Sequence, residues 1–352
     1  MTKEEFRAAA RDAGFELCGF ARADRAPHAD ALGSWLDDGC QADMAWMQRT
    51  RDERSDPRRL LSGARTVIVL AKNYLTATPP PPPGPAARGR IARYAWGADY
   101  HDILQPRLAG LAAKLEAAGG GQRCFVDGGP VLERDWAAAC GVSWHGKSTM
   151  GLHPQLGTWF FLSVILTTLE FDPEAPLPDR CGRCTRCIDA CPTAAITAPY
   201  RLDARRCLSY LTIENKGPIP AEFRRAMGDR IFGCDDCLDA CPWNRFATAS
   251  RDAQMQPASG ILDRPLREFL SLDDRGFRDM FRGSPILRAK RRGFLRNVCV
   301  ALGNIGTDDD LPSLRRALHD PEELVREHAT WAVAEIEARR PTHHPRCSTE
   351  SR

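Results

Sequence analysis

The feature that most restricts this sequence is a set of eight cysteines between residues 181 and 241. Residues 181–192 read C-x-x-C-x-x-C-x-x-x-C-P, which is the run that binds a 4Fe-4S cluster in bacterial ferredoxins. Residues 234–242 read C-x-x-C-x-x-x-C-P and are one ligand short of a full set. Cys207 is the only cysteine between the two runs. The spacing therefore predicts two 4Fe-4S clusters with eight thiolate ligands.

In double-cluster ferredoxins the fourth cysteine of a run crosses over to the other cluster. The same crossed ligation predicts one cluster with the ligands Cys181, Cys184, Cys187 and Cys241. It predicts a second cluster with the ligands Cys191, Cys207, Cys234 and Cys237. A pair of zinc sites is the alternative, because zinc also takes four thiolates. The Cys-Pro endings and the triple spacing favour iron and sulfur.

Fourteen cysteines in one chain also bear on the compartment. The first residues lack the basic and then apolar layout of a signal peptide, and no run of apolar residues is long enough to cross a membrane. We therefore expect a cytoplasmic protein, in which clustered cysteines bind metal rather than form disulfides. The net charge of +3 says little about a polyanionic partner, so local charge must decide that question.

A chain of 352 residues is expected to form two or three domains. Strands and helices alternate up to about residue 171, which indicates an α/β domain at 1–172. A segment rich in proline and acidic residues leads into a ferredoxin-like domain at 173–255. Short helices then predict an α-helical, HEAT-like repeat at 256–340. We expect a disordered tail at 341–352 and an exposed spacer in the proline-rich stretch at 79–85.

Asp127 is the most promising acid outside the cysteine region. It lies where a predicted strand, starting at Cys124, runs into a Gly-Gly-Pro turn. In an α/β fold this position faces a pocket at the carboxyl edge of the sheet, where ligands bind. The alternative is that Asp127 caps a helix that begins near Val131, and position alone does not separate the two interpretations.

Several motifs in combination are similar to those of the epoxyqueuosine reductases, over about residues 5 to 337. They are Arg54-x-Asp-Pro-Arg58, Ala92-Arg-Tyr-Ala-Trp-Gly-x-Asp-Tyr-His101, Val126-Asp127, Gly141-Val-Ser-Trp-x-Gly-Lys147, Gly157-Thr-Trp-Phe-Phe-Leu162, the two cysteine runs, and Cys207-Leu-Ser-Tyr-Leu-Thr-Ile-Glu214. Three positions depart from the family pattern, namely Gly128, His145 and Ser148. They put fine substrate contacts in doubt, but they remove neither the acid nor a cluster ligand.

The resemblance implies a cobalamin enzyme related to reductive dehalogenases, which removes the epoxide oxygen from epoxyqueuosine in the last step of queuosine biosynthesis. It implies that Asp127 is the proton donor and that base-off cobalamin binds between the α/β and ferredoxin-like domains. Arg54, Tyr100 and Ser209 are the further candidates for the cobalamin pocket. No Asp-x-His-x-x-Gly motif is present, so the sequence does not support a histidine ligand to cobalt.

Basic residues cluster near the predicted helical repeat, with no acidic residue between the first and the last of them. They are Arg282, Arg288, Lys290, Arg291, Arg292 and Arg296. Such a patch suits phosphate contacts, although a solvated helix face would look the same. The resemblance favours a tRNA anticodon stem-loop whose target base is splayed into the cobalamin pocket. The remaining expectations are a low-potential electron donor, no membrane partner and a monomer.

Two other functions fit parts of the pattern. A reductive dehalogenase-like enzyme that acts on a small molecule would be indifferent to tRNA, and the basic helical segment speaks against it. An electron-transfer module without catalysis would bind no corrinoid. The resemblance favours an oxidoreductase that acts on tRNA over both.

Overall fold

The structure is a computed structural model that describes residues 1–78, 86–258 and 260–340. The expected proline-rich spacer and the expected disordered tail lie outside these residues. The strands are β1 (Leu17–Arg22), β2 (Thr66–Asn73), β3 (Arg90–Ile91), β4 (Gln122–Phe125), β5 (Trp144–His145), β6 (Gly151–Leu152), β7 (Phe160–Thr167), β8 (Ile196–Ala198), β9 (Arg201–Leu202) and β10 (Arg230–Phe232).

The helices alternate with these strands in the first half of the chain and dominate the last third. They are α1 (Lys3–Asp12), α2 (Ala29–Asp37), α3 (Ala45–Arg49), α4 (Arg51–Ser55), α5 (Tyr100–Ala117), α6 (Glu133–Ala139), α7 (Arg186–Asp189), α8 (Leu208–Ile213), α9 (Ala221–Arg224), α10 (Asp236–Asp239), α11 (Leu266–Phe269), α12 (Asp274–Met280), α13 (Lys290–Ile305), α14 (Leu311–Ala317) and α15 (Glu323–Ala338). Short 3-10 helices lie at Pro57–Arg59, Arg93–Ala95, Ala204–Arg206, Pro242–Phe246, Ala253–Met255, Pro285–Ala289 and Asp308–Asp310.

A four-stranded sheet in the order β1-β2-β7-β4 forms the centre of the N-terminal part. All eight residues of β2 are buried, so this strand is covered on both faces of the sheet. Every neighbouring pair in the sheet is antiparallel, so its strands share no carboxyl edge. The expectation of a pocket at the carboxyl edge of the sheet is therefore wrong. It assumed parallel strands, and a buried apolar strand does not reveal the direction in which its neighbours run.

Alternate side chains of β2 enter separate cores on the two faces of the sheet. Ile68 and Leu70 pack in a core with residues of α1 and α5, while Val67 and Val69 pack in a core with Trp136 of α6. Helix α1 opens with a capping box between Thr2 and Glu5. Helices α1 and α5 thus cover one face of the sheet, and α6 covers the other.

The helices of the C-terminal third share their core with earlier segments. Strand β3 pairs in parallel with β10, and Ile91 and Trp96 are buried in the same cluster as Phe294 and Leu302 of α13. Residues near 90 are therefore part of the packing between the cysteine region and the C-terminal helices. In the described part of the chain, none of the helices has the length and apolar character needed to cross a bilayer.

Arg296 lies at the centre of this C-terminal packing. Its side chain is fully buried in α13, and its guanidinium donates hydrogen bonds to the carbonyls of Leu211, Asn215 and Gly217. The neighbouring Asn297 donates to the carbonyls of Thr212 and Ile231. Buried backbone carbonyls need such donors, so α13 fixes the chain that follows α8.

Candidate active site

The structure gathers the seven cysteines of the two runs, together with Cys207, into two groups of four. Burial raises the pKa of Cys241 to about 11, and charges on Cys181, Cys187 and Cys184 act in the same direction. Burial also raises the pKa of Cys237, together with charges on Cys234, Cys207 and Cys191. Each group therefore lies within mutual electrostatic reach, and each combines cysteines that are distant in sequence.

The loops around the cysteines are held by backbone hydrogen bonds. Lys147 donates through Nζ to the carbonyls of Gly182 at 2.5 Å and Cys184 at 3.2 Å. The sulfur of Cys191 accepts from the backbone N–H of Ala195 at 3.2 Å. Backbone N–H groups that face sulfur stabilise thiolates, which is the form that ligates iron. The short helices α7 and α10, each carrying one cysteine of a different group, pack against each other.

Asp127 follows the end of β4 and has a left-handed backbone, with φ 54°. A residue other than glycine pays roughly 1 kcal/mol for this conformation, so its surroundings must hold it. Its backbone N–H donates to Oε1 of Glu133 at 2.7 Å. Helix α6 is preceded by Leu132 as its N-cap residue, so the alternative in which Asp127 caps a helix near Val131 is wrong.

The carboxylate of Asp127 is held by two side chains from different parts of the chain, Tyr100 and Arg288. Tyr100, the first residue of α5, donates its hydroxyl hydrogen to Oδ2 of Asp127. Nη1 of Arg288 lies 3.6 Å from the same oxygen. Arg288 is itself in contact with His101, whose ring also pairs with Asp99. Residues from the sheet domain and from the C-terminal region thus meet at one carboxylate.

Glu133 and Arg134 extend this site towards the cysteines. Burial raises the pKa of Glu133 to about 8, and the charge on Asp127 adds to the effect. Arg134 has an exposed side chain, yet enclosure by protein lowers its pKa. Arg134 interacts electrostatically with Asp127 and also with Cys237 and Cys207, so it lies between the acid and one cysteine group. We refer to the region around Arg134, from Asp127 to Cys207 and Cys237, as the cleft.

The other predicted pocket residues divide between the two ends of the cleft. Arg54 of α4 donates to the carbonyl of Val131 at 3.5 Å and interacts electrostatically with Glu133 and Asp127. Ser209 lies in the first turn of α8, where its backbone N–H faces the sulfur of Cys207. Arg54 and Tyr100 therefore lie beside the acid, whereas Ser209 lies beside the second cysteine group.

The predicted basic patch is not a single surface. Arg282, Lys290 and Arg288 are exposed and Arg292 is half-buried. Arg291 is buried in an ion pair with Asp320, and Arg296 is buried among backbone carbonyls. The prediction that all six residues face phosphates is wrong for these two, because each guanidinium is already satisfied inside the protein.

Two residues of the site carried no predicted role. Glu133 and Arg134 begin the helix that follows the turn after Asp127. The fold of this turn brings both residues back to within reach of Asp127. Arg288 was expected at a phosphate but lies at the acid. The signal for Glu133 was a second acidic residue within a few positions of the Gly-Gly-Pro turn that follows Asp127, which is too weak to assign a role from sequence.

The paired cysteine groups, and the cleft that connects one of them to a held carboxylate, define an iron-sulfur oxidoreductase of the double-cluster type. Comparison with known proteins agrees with this class. Residues 180–244 match the family model described as a 4Fe-4S double cluster binding domain. Residues 54–128 match the model described as epoxyqueuosine reductase QueG, DUF1730.

Relatives of known name cover nearly all of the chain. The epoxyqueuosine reductase of Xanthomonas campestris pv. campestris is 42% identical over 335 residues, which are 94% of this chain and 94% of the relative. A crystal structure of epoxyqueuosine reductase with an epoxyqueuosine-modified tRNA-Tyr stem loop has a TM-score of 0.89 at 31% identity, and covers 95% of this chain and 90% of that one. The epoxyqueuosine reductase of Bacillus subtilis, solved with its catalytic aspartate loop swung out of the active site, has a TM-score of 0.87 at 31% identity and the same coverages.

The chain belongs to the epoxyqueuosine reductase family. It is therefore an oxidoreductase with a double 4Fe-4S domain, and the resemblance seen in its motifs is confirmed.

Proposed function

We propose that this protein reduces epoxyqueuosine to queuosine in the anticodon stem-loop of tRNA, with Asp127 as the proton donor in a cobalamin-binding cleft. The observation that carries the proposal is the position of Asp127. Its carboxylate is held by Tyr100 and Arg288 at one end of a cleft whose other end contains Cys207 and Cys237. The solved relative with a modified tRNA stem loop supports the substrate.

The two groups of cysteines support the crossed division of cluster ligands. Cys241 lies with Cys181, Cys184 and Cys187 of the first run. Cys191 and Cys207 lie with Cys234 and Cys237. Four thiolates in each group fit one 4Fe-4S cluster. The second group borders the cleft through Arg134, so we assign it to the cluster that passes electrons to the cleft.

The residues of the cleft fit a bound base-off cobalamin. Arg134 and Glu133 line a space between the sheet domain and the cysteine region, with Arg54 and Tyr100 on one side and Ser209 on the other. When bound, cobalamin supplies a low-valent cobalt that delivers electrons to the substrate. We assign no histidine of the chain as a ligand to its cobalt, in line with the missing Asp-x-His-x-x-Gly motif.

The reaction needs two electrons and two protons, because the epoxide oxygen leaves as water and the two ring carbons become an alkene. Tyr100 donates to Oδ2 of Asp127, so we assign Oδ1 as the atom that carries a proton towards the substrate. An alkoxide is a poor leaving group, so a positioned acid lowers the barrier. After proton transfer, the hydroxyl of Tyr100 and the guanidinium of Arg288 stabilise the carboxylate that remains.

The C-terminal helices supply the proposed tRNA surface. Helices α13, α14 and α15 pack together as a HEAT-like unit, and Arg282, Lys290 and Arg292 are its candidates for phosphate contacts. Arg288 lies at the border between this surface and the acid, so we assign it to the target nucleotide. The domain division at residues 172 and 255 remains our proposal, with the segment near Ile91 packed against the later parts.

Electrons enter at the other cluster, in this proposal. Arg180, Arg183 and Arg186 are exposed and alternate with Cys181, Cys184 and Cys187. A cluster ringed by arginines fits an acidic, low-potential donor protein, because complementary charge speeds the encounter and orients the partners. The donor side and the substrate side then lie at different clusters.

The test is reconstitution under anaerobic conditions. Protein with loaded clusters and cobalamin, given a low-potential reductant, is expected to convert epoxyqueuosine in tRNA to queuosine, measured by mass spectrometry of nucleosides. Protein with clusters but without cobalamin is the control and is expected to be inactive. Equal conversion without cobalamin would remove the corrinoid from the proposal. Failure of the fully loaded protein on tRNA, together with activity on a halogenated small molecule, would favour the dehalogenase-like alternative.

A further inference from the structure

Three metal-binding side chains converge at a place apart from the eight cysteines and Asp127. His28 immediately precedes α2, Asp135 lies in α6 and His145 lies in β5. Nδ1 of His28 is 2.5 Å from Oδ1 of Asp135, and Nε2 of His145 is 3.4 Å from the same oxygen. The two imidazole rings meet edge to face, with centroids 5.1 Å apart. Elements far apart in the sequence thus direct two nitrogens at one carboxylate oxygen.

We propose that His28, Asp135 and His145 form a binding site for a divalent transition-metal ion, with zinc as the fitting metal. The three ligand atoms all lie within 4.8 Å of one another. Zinc takes nitrogen and carboxylate oxygen at about 2.0 to 2.2 Å, so ligand atoms around it are roughly 3.3 Å apart. The distance of 3.4 Å between Nε2 of His145 and Oδ1 of Asp135 already matches that value. A small rotation of the exposed His28 ring would lengthen the distance of 2.5 Å between its Nδ1 and the same oxygen.

The surroundings of Asp135 favour a charged partner. Its side chain is buried, and its second oxygen accepts the backbone N–H of His28 at 2.9 Å. Its other oxygen, Oδ1, faces the ring nitrogens of both His28 and His145. The carboxylate is therefore held in one orientation by contacts at both oxygens, as a metal ligand must be.

The site is also open on one side. The side chain of His28 is 61% exposed and that of His145 is 29% exposed, against 5% for Asp135. A metal ion can enter past His28, and water can complete its coordination beside three protein ligands. Such an ion would tie α6 to the segment before α2 and to β5. Helix α6 begins with Glu133 and Arg134, so the metal would stabilise the wall of the cleft.

The competing interpretation is a metal-free triad in which both rings donate N–H to Asp135. Metal content separates the two. Protein with fully loaded clusters, so that the cluster cysteines are occupied, is mixed with zinc and desalted, and iron and zinc are measured per chain. We expect about one zinc for each chain beside about eight irons. The His28→Ala/His145→Ala variant is expected to keep its iron and to lose that zinc.

His319→Ala is the matched control, because His319 is exposed in the C-terminal region and away from the triad. This variant is expected to bind zinc like the wild type. Zinc is expected to raise the thermal midpoint of the wild type and of His319→Ala, but not that of His28→Ala/His145→Ala. If removal of both rings prevents folding, the single His28→Ala variant provides the test, since its ring is largely exposed. Absence of zinc from the wild type, or equal zinc in the wild type and in the variants that lack His28, would overturn the proposal.

Discussion

Asp127 combines a strained backbone with hydrogen bonds that fix both its main chain and its carboxylate. The Asp127→Asn variant keeps the shape and removes the transferable proton. We expect its turnover of epoxyqueuosine to fall about 100- to 10,000-fold, which is the usual contribution of a general acid. Turnover is measured with saturating tRNA, and iron content and cobalamin spectra serve as the controls for an intact site. Turnover close to that of the wild type would mean that another group supplies the proton.

Glu133 leads to a prediction about pH. Burial raises its pKa to about 8 in the folded protein, well above the value of an exposed carboxyl. Between about pH 5 and 8 the folded state therefore holds a proton that the unfolded state has already released, and stability falls as the pH rises through that window. Glu133→Gln removes this effect. Its thermal midpoint relative to the wild type is expected to rise between pH 5.5 and 8.5, in protein without cobalamin; a constant difference would contradict the shifted pKa.

For single residues, the sequence could predict a role where neighbouring residues alone determine it. The turn after β4 and the motif resemblance were sufficient to select Asp127. The contacts of Asp127 depend on Tyr100, Arg288 and the return of α6, which are distant in sequence or folded back by a turn. No local pattern encodes such distances, so the partners had to come from the structure.

Helix α13 shows how the same residue type takes opposite roles on one element. Arg292 and Arg296 are one turn apart, yet Arg296 is fully buried and Arg292 is half-buried. A charge run in the sequence cannot separate the two, because burial of an arginine depends on carbonyls supplied by α8 and the loop after it. The pattern did predict the helices α13, α14 and α15, since their caps and apolar spacing are local.

This contrast can be tested with a matched pair of variants. Arg296→Met leaves the carbonyls of Leu211, Asn215 and Gly217 without donors in a buried site. We expect a loss of about 3 kcal/mol in the free energy of unfolding, because each unsatisfied buried group costs about 1 to 3 kcal/mol. Arg292→Met on the same helix is expected to change stability little. Thermal midpoints of the two variants, measured with clusters loaded, compare them; equal midpoints would contradict the structural role of Arg296.

The exposed members of the patch are expected to act on tRNA affinity. In a variant with Arg282, Lys290 and Arg292 all changed to alanine, phosphate contacts are lost but the buried arginines remain. Each lost contact lowers the slope of log affinity against log salt by about 0.7 to 0.9. Affinity for an anticodon stem-loop is measured at several salt concentrations, with thermal midpoint as the control. A weakened affinity with an unchanged slope would argue against direct phosphate contacts.

In the whole molecule, the order of the parts along the chain was easier to predict than their arrangement. The cysteine runs at 181–192 and 234–242 marked the cluster domain because cluster ligands require close spacing. The antiparallel sheet was missed, since the burial of β2 contains no information on strand direction. The packing of Ile91 against α13 was missed for the same reason, because it joins segments about 200 residues apart through contacts of high sequence separation.

The direction of electron flow provides the prediction for the whole molecule. If a donor docks at the cluster ringed by Arg180, Arg183 and Arg186, reversing these charges to glutamate raises the KM for an acidic protein donor and leaves kcat similar. The effect is expected to be largest at low salt, where electrostatic steering is least screened.

Dithionite, a small reductant that needs no protein docking surface, is expected to reduce the variant at nearly the rate of the wild type. Arg11→Glu, which reverses an exposed charge on α1, is the control and should leave the KM for the donor unchanged. Equal loss with both reductants would mean that the substitutions damage the cluster itself. Equal KM values for variant and wild type would place the donor elsewhere, and electrons would then have to enter on the side of Cys207 and Cys237, where the cleft already receives its substrate.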